Sequence, residues 1–140
     1  MKLKDKILSK LDLMHQYLDE LQDILPQDVE EYIQNMTQRR ACEKTIELAI
    51  ETVIDIASII ISEERLRVPQ SEEDIFNLLE KKKILSKSLI QKVRQMKGFR
   101  NILVHKYGDV EDERAYAYLE HERNDFALFE KEIKQFLKRK

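Results

Sequence analysis

Apolar residues recur in alternating steps of four and three along the first segment, at Leu3, Ile7, Leu11, Met14, Leu18, Leu21 and Leu25. This keeps one face of a helix apolar and predicts an amphipathic helix that ends at Pro26. A second pattern opens near Asp28, whose short carboxylate suits an N-cap, and runs through Val29, Ile33, Met36, Ile46, Ala49, Ile50, Val53, Ile54, Ala57 and Ile61. It predicts one unusually long helix, with the polar stretch Thr37-Gln38-Arg39-Arg40 as the place for a kink. Ser62-Glu63-Glu64-Arg65 then leads into a loop containing Pro69.

Ser71 followed by Glu72, Glu73 and Asp74 marks the start of a short helix to about Lys81, because a hydroxyl caps free amides and carboxylates favour the positive end of the helix dipole. Ser86 caps the next helix, which Leu89, Ile90, Val93, Met96, Ile102 and Leu103 carry towards His105. Gly108 stands where a helix end takes a left-handed residue. From about Asp112, Ala115, Tyr118, Leu119, Phe126, Phe129, Ile133, Phe136 and Leu137 predict a last helix to the chain's end. The expectation is an all-α, up-down helical bundle of about five helices forming a single domain over residues 1–140.

Composition narrows this further. Two glycines and two prolines in 140 residues argue against a turn-rich all-β fold, and 42% hydrophobic residues supply a core. The single cysteine, Cys42, cannot form an internal disulfide, the N-terminal twenty residues lack a signal-like apolar stretch, and Val53–Ile61 is far shorter than the ~20 residues that span a bilayer. A cytoplasmic protein without a membrane partner is expected.

The net charge of −2 hides an asymmetry. Between Glu80 and Asp109 there is no acidic residue, whereas Lys81, Lys82, Lys83, Lys87, Lys92, Arg94, Lys97, Arg100 and Lys106 are basic. Surface helices usually intersperse both signs, so a run of one sign fits a phosphate-bearing partner better than a solvated face alone. Phe99, beside it, reads as a core residue rather than a platform for bases.

The run ends in Arg100-Asn101-Ile102-Leu103-Val104-His105-Lys106-Tyr107, of the form R-x4-H-x-Y. Arg supplies a fixed positive fork for phosphate, and His exchanges protons near neutrality. Phosphodiester cleavage in RNA needs both kinds of help, and no metal or other cofactor is strictly required. At about 100° per residue, Arg100 and Tyr107 lie within ~20° of each other on a helix, while His105 lies ~140° from Arg100. For Arg and His to serve one phosphate, either the helix loosens near Gly108 or a second copy of the site faces the first. Amphipathic helices with more apolar surface than a small bundle must bury point to the same self-association.

The segment Met96 to Tyr107, with Arg39-Arg40, Glu47-Leu48-Ala49-Ile50-Glu51 and Asp55-Ile56-Ala57 upstream, resembles the HEPN superfamily. The nearest likeness is to HepT-like ribonuclease toxins paired with a minimal nucleotidyltransferase antitoxin. The resemblance implies that Arg100 and His105 are the ribonuclease residues and that a homodimer cleft brings two motif copies together. It also implies that the cognate antitoxin transfers AMP from ATP to Tyr107 and silences the toxin. Asn101 is the supporting residue, and Lys97 and Lys106 are candidates for RNA binding. The alternative is a non-enzymatic helical module that holds a nucleotidyltransferase partner or nucleic acid.

Other candidates are weaker. Asp12 and His15 stand one helical turn apart, but no second pair or comparable set around His121 completes a metal site. Asp55 in its apolar run reads as a buried hydrogen-bonded group rather than a partner for an Arg or His. Cys42 has no companion for nucleophilic catalysis, and with only Gly98 and Gly108 no glycine-rich phosphate loop is possible.

Overall fold

The first helix, α1 (Leu3–Ile24), buries Ile7, Leu11, Met14, Leu18 and Leu21, the stripe its spacing predicts. The computed structural model describes residues 2–105 and 111–140, with His105 as backbone alone. Among the described residues the chain is all-helical: α2 (Val29–Gln34), α3 (Met36–Glu63), α4 (Glu72–Lys81), α5 (Lys87–His105), α6 (Asp112–His121) and α7 (Arg123–Lys138) follow α1. Helix α3 lies at the centre, with α1, α4 and α5 packed on it, α2 paired with α6, and α7 against α1 and α5. Phe76, Phe126, Phe129, Tyr32 and a set of isoleucines are wholly buried between them, each large apolar side chain contributing ~1.5–3 kcal/mol through burial.

Seven helices stand where five were expected, and each extra break is held by identifiable side chains. The long second pattern divides at Asn35, not at residues 37–40. Asn35 is extended (φ −98°, ψ 92°), and its side chain accepts from the Gln38 backbone N–H at 3.0 Å, so it caps α3. The polar residues read as a kink close off the neighbouring helix ends instead: Gln38 Nε2 donates to the Ile24 carbonyl at 2.6 Å and Arg39 Nη1 to that of Ile33 at 2.5 Å. The last pattern divides at Glu122, where the Asp125 N–H reaches back only three residues to the Glu122 carbonyl. There Arg123 grips Asp19 at 2.6 Å and Gln22 at 3.2 Å on α1.

The three predicted caps form: Asp28 accepts from Glu31 N–H, Ser71 from Asp74 N–H and Ser86 from Leu89 N–H. The C-terminal ends of α3 and α4 need no glycine. Arg65 (φ 54°) and Lys83 (φ 57°) take the left-handed position, and the amides after them, Leu66 and Ile84, bond the Ile61 and Leu79 carbonyls. A non-glycine residue there costs ~1–2 kcal/mol, offset by carbonyls that would otherwise be unpaired. The matching expectation for Gly108 lies outside the described residues. Asp55 is not buried; it is exposed and pairs with Lys10 at 3.5 Å. The expected surplus of apolar surface shrinks to three large exposed residues among those described, Met36, Val68 and Ile102. No helix among the described residues is long and apolar enough to cross a membrane.

Glu122 is the unusual buried group. Burial, with some help from Asp125, pushes its carboxyl up to about 7, against weaker opposition from the Tyr118 hydroxyl and Lys92. Neither Glu122 Oε2 nor the Tyr118 hydroxyl has a well-formed hydrogen bond among the described residues. Because the folded-state value lies above the ordinary one, the native protein holds a proton the unfolded chain releases. Glu122 therefore costs nothing below about pH 4.5, and its cost grows as pH rises to about 7, reaching ~3 kcal/mol at most. Glu122→Gln should be more stable than wild type at pH 8 and nearly equal to it at pH 5 in urea unfolding. A stability difference independent of pH would contradict this.

Candidate functional site

Helix α5 carries the motif. Its N-terminus is fixed twice, by the Ser86 cap and by Glu132 of α7, whose carboxylate accepts from the Ser86 N–H and hydroxyl at 2.7 Å each. Leu89, Ile90, Val93, Met96 and Leu103 turn inward, and Phe99 stacks on Tyr118 with ring centroids 3.9 Å apart. Phe99 is thus part of the packing, as expected, and its ring face is covered.

This packing places Arg100 against the N-terminal end of α4. Its side chain is only 14% exposed, and Nη2 is paired with Glu72 Oε1. Nε is buried with no partner among the described residues. A guanidinium this enclosed is held by its surroundings rather than waving in solvent. Asn101 beside it is half-buried, and Lys97 lies 3.8 Å from Glu73. The helix remains regular through His105, so position 105 lies ~140° round the axis from Arg100. The His105 side chain, Lys106 and Tyr107 lie outside the described residues.

Four of the nine basic residues of the run, Lys92, Arg94, Lys97 and Arg100, are paired from other helices, contrary to a reading of the whole run as an open phosphate-binding face. Glu73 takes Arg94 at 2.5 Å and Lys97 at 3.8 Å, Asn77 accepts from Arg94 at 2.6 Å, Glu80 stands 3.9 Å from Arg94, and Asp125 of α7 takes Lys92 at 3.1 Å. Lys81, Lys82 and Lys83, at the end of α4 and in the turn after it, and Lys87, the first residue of α5, remain exposed. The first turn of α4 therefore does more than complement a dipole. Glu72 and Glu73 hold α5, while Asp74 anchors the turn, accepting both Arg67 bonds at 2.6 and 2.8 Å and the Gln70 N–H at 3.0 Å. Arg67, helped by that amide, holds the Asp74 carboxyl down to about 2. This clamp was not among the expectations drawn from sequence. A signal existed in Glu73, Asn77 and Glu80, spaced i, i+4, i+7 on one face of α4 and followed by a helix without carboxylates.

The segment after the motif is tied back to α3. Arg39 Nε lies 3.8 Å from Asp112 at the start of α6, Tyr116 donates to the Pro26 carbonyl at 2.6 Å, and its ring meets Tyr32 at 5.3 Å. Burial pushes the Tyr32 hydroxyl and Glu43 carboxyl up, and the buried Cys42 thiol up to about 11, which leaves it a poor nucleophile. His15 bonds Glu130 at 2.5 Å, linking α1 to α7.

Comparison with known proteins bears on this arrangement. The family model for ribonuclease HepT-like proteins matches residues 14–133. The chain is 27% identical over 127 residues to an mRNA nuclease HepT of Shewanella oneidensis, covering 91% of this chain and 95% of that protein. It is 25% identical over 131 residues to a tRNA nuclease HepT of Aphanizomenon flos-aquae, covering 94% and 89%. Among solved structures, a tri-AMPylated Shewanella oneidensis HEPN toxin in complex with its MNT antitoxin superposes with a TM-score of 0.86 at 27% identity, covering 96% of this chain and 99% of that one. The all-helical architecture, the place of the motif helix within it and the family match over most of the chain lead to one conclusion: this protein belongs to the ribonuclease HepT-like family.

Proposed function

We propose that this chain is the endoribonuclease toxin of a toxin–antitoxin pair, cutting RNA without a metal through Arg100 and His105. The observation that carries the reading is the enclosure of Arg100. A guanidinium held by a neighbouring carboxylate, with a buried Nε that has no partner among the described residues, is costly to maintain for stability alone. It suits a group kept in place for a phosphate. In RNA cleavage Arg100 stabilises the charge that develops on the phosphate, and His105 transfers the proton of the 2′-hydroxyl or the leaving oxygen. Asn101 supports the pair, and Lys97 and Lys106 hold the adjoining backbone. The nuclease names of the two relatives, acting on mRNA and on tRNA, support the substrate class.

The regular helix through His105 favours a homodimer in which the His of one chain meets the Arg of the other, and Ile102, exposed on the motif helix, offers it apolar surface. A nucleotidyltransferase antitoxin is the proposed partner, as in the complex of the Shewanella toxin, and Tyr107 the acceptor of AMP.

His105→Ala should lower the cleavage rate by ~10²- to 10⁴-fold, and Arg100→Lys by about 10²-fold, because a point charge does not replace the planar fork. Both are measured on RNA in EDTA, and a chain that binds RNA or the nucleotidyltransferase but cuts nothing would instead be the non-enzymatic module. Light scattering of the wild type at micromolar concentration should give twice the mass of one chain; an active monomer would defeat the shared cleft. With ATP, magnesium and the nucleotidyltransferase, mass spectrometry should find AMP added to wild type and none on Tyr107→Phe, with cleavage lost only in the former. Equal labelling of both would place the modification elsewhere.

A further inference from the structure

We infer that Glu72 is a positioning residue for Arg100, setting which edge of the guanidinium meets the substrate phosphate; this rests on the proposed function. Arg100 Nη2 is bound to Glu72, and Nε is buried. No hydrogen bond of Nη1 is found among the described residues, and Nη1 is not among the buried atoms without partners. Of the three nitrogens, Nη1 is therefore the one with solvent access and no hydrogen-bond partner among the described residues. The carboxylate thus rotates the fork so that one defined edge is offered to an incoming phosphate.

Glu72 is itself well held. It is the first residue of α4, directly after the Ser71 cap, two positions before Asp74, which Arg67 and the Gln70 amide clamp. A carboxylate on a fixed helix start removes the rotamer freedom that an arginine side chain otherwise loses when it binds. Ion pairing also offsets the positive charge of Arg100, so Glu72 weakens ground-state attraction for RNA while ordering the group for reaction. Glu72 thus raises kcat and KM together, so its removal lowers kcat without raising KM, whereas losing a purely structural ion pair would lower kcat and raise KM.

The test compares Glu72→Ala and Glu72→Gln with wild type on RNA at saturating and limiting concentration. Glu72→Ala should lose ~10- to 100-fold in kcat with KM unchanged or lower. Glu72→Gln retains an oxygen that accepts from Nη2 and should keep kcat within a few-fold of wild type. In parallel, the Arg100 Nε–H resonance, assigned by its loss in Arg100→Lys, should show a slowly rotating guanidinium in wild type and in Glu72→Gln and a freely rotating one in Glu72→Ala. An alanine variant with wild-type or raised kcat, or an Arg100 signal equally ordered without Glu72, overturns the inference. If Glu72→Ala does not fold, loss of kcat in a folded Glu72→Gln whose Arg100 stays ordered overturns it equally. Failure of the proposed function looks different: wild type and Arg100→Ala would then be alike on RNA, and Glu72 would have no part in catalysis whatever the resonance shows.

Discussion

Helix α3 has to be covered on several sides, and the rest of the bundle follows from that. Its buried residues, among them Ile46, Ile50, Val53, Ile54, Ile56, Ala57, Ile60 and Ile61, are spread too widely round the axis for one neighbour to shield. α1 takes one side, and α4 and α5 pack on the helix together. That shared duty brings the N-terminal turn of α4 against the C-terminal half of α5. The clamp on Arg94, Lys97 and Arg100 is thus a product of hydrophobic coverage, refined by charge. The loops at Arg65 and Lys83 accept left-handed backbone to make the connections tight.

What could be read in advance divides along a physical line. Periodicity and capping chemistry act within a few residues, so the helical class, the buried stripe of α1, the caps at Asp28, Ser71 and Ser86 and the motif helix were all legible. The family resemblance rested on residues contiguous in sequence and led to the family that the comparisons identify. The breaks at Asn35 and Glu122 were harder because each depends on a distant helix: Gln38 reaches the end of α1, and Arg123 reaches Asp19 and Gln22. Even so, the six polar residues between Leu119 and Phe126 were a local hint of the second.

Charge was the least legible property. A count of basic residues along α5 describes a strongly cationic helix, yet Lys92, Arg94, Lys97 and Arg100 find carboxylates on α4 and α7. Asp55 erred in the opposite sense: an acid in an apolar run suggested burial, but one position of that run faces outward to Lys10. In both cases the deciding partner is far away in sequence; the spacing of Glu73, Asn77 and Glu80 hinted at the first, and no local pattern pointed to the second.

The internal pairing of α5 also bears on how the molecule meets polyanions in general. A cation already matched by a carboxylate of its own chain displaces few condensed ions when it touches a phosphate backbone, so the entropic gain that drives indiscriminate nucleic-acid binding is small at this end of the helix. Lys81, Lys82, Lys83 and Lys87, exposed and without an ion pair among the described residues, retain that gain. The uncompensated positive charge therefore gathers at the turn between α4 and α5, away from Arg100. Added salt, which screens exposed charges beyond about 10 Å at 0.1 M, acts on those lysines more than on the enclosed Arg100–Glu72 pair.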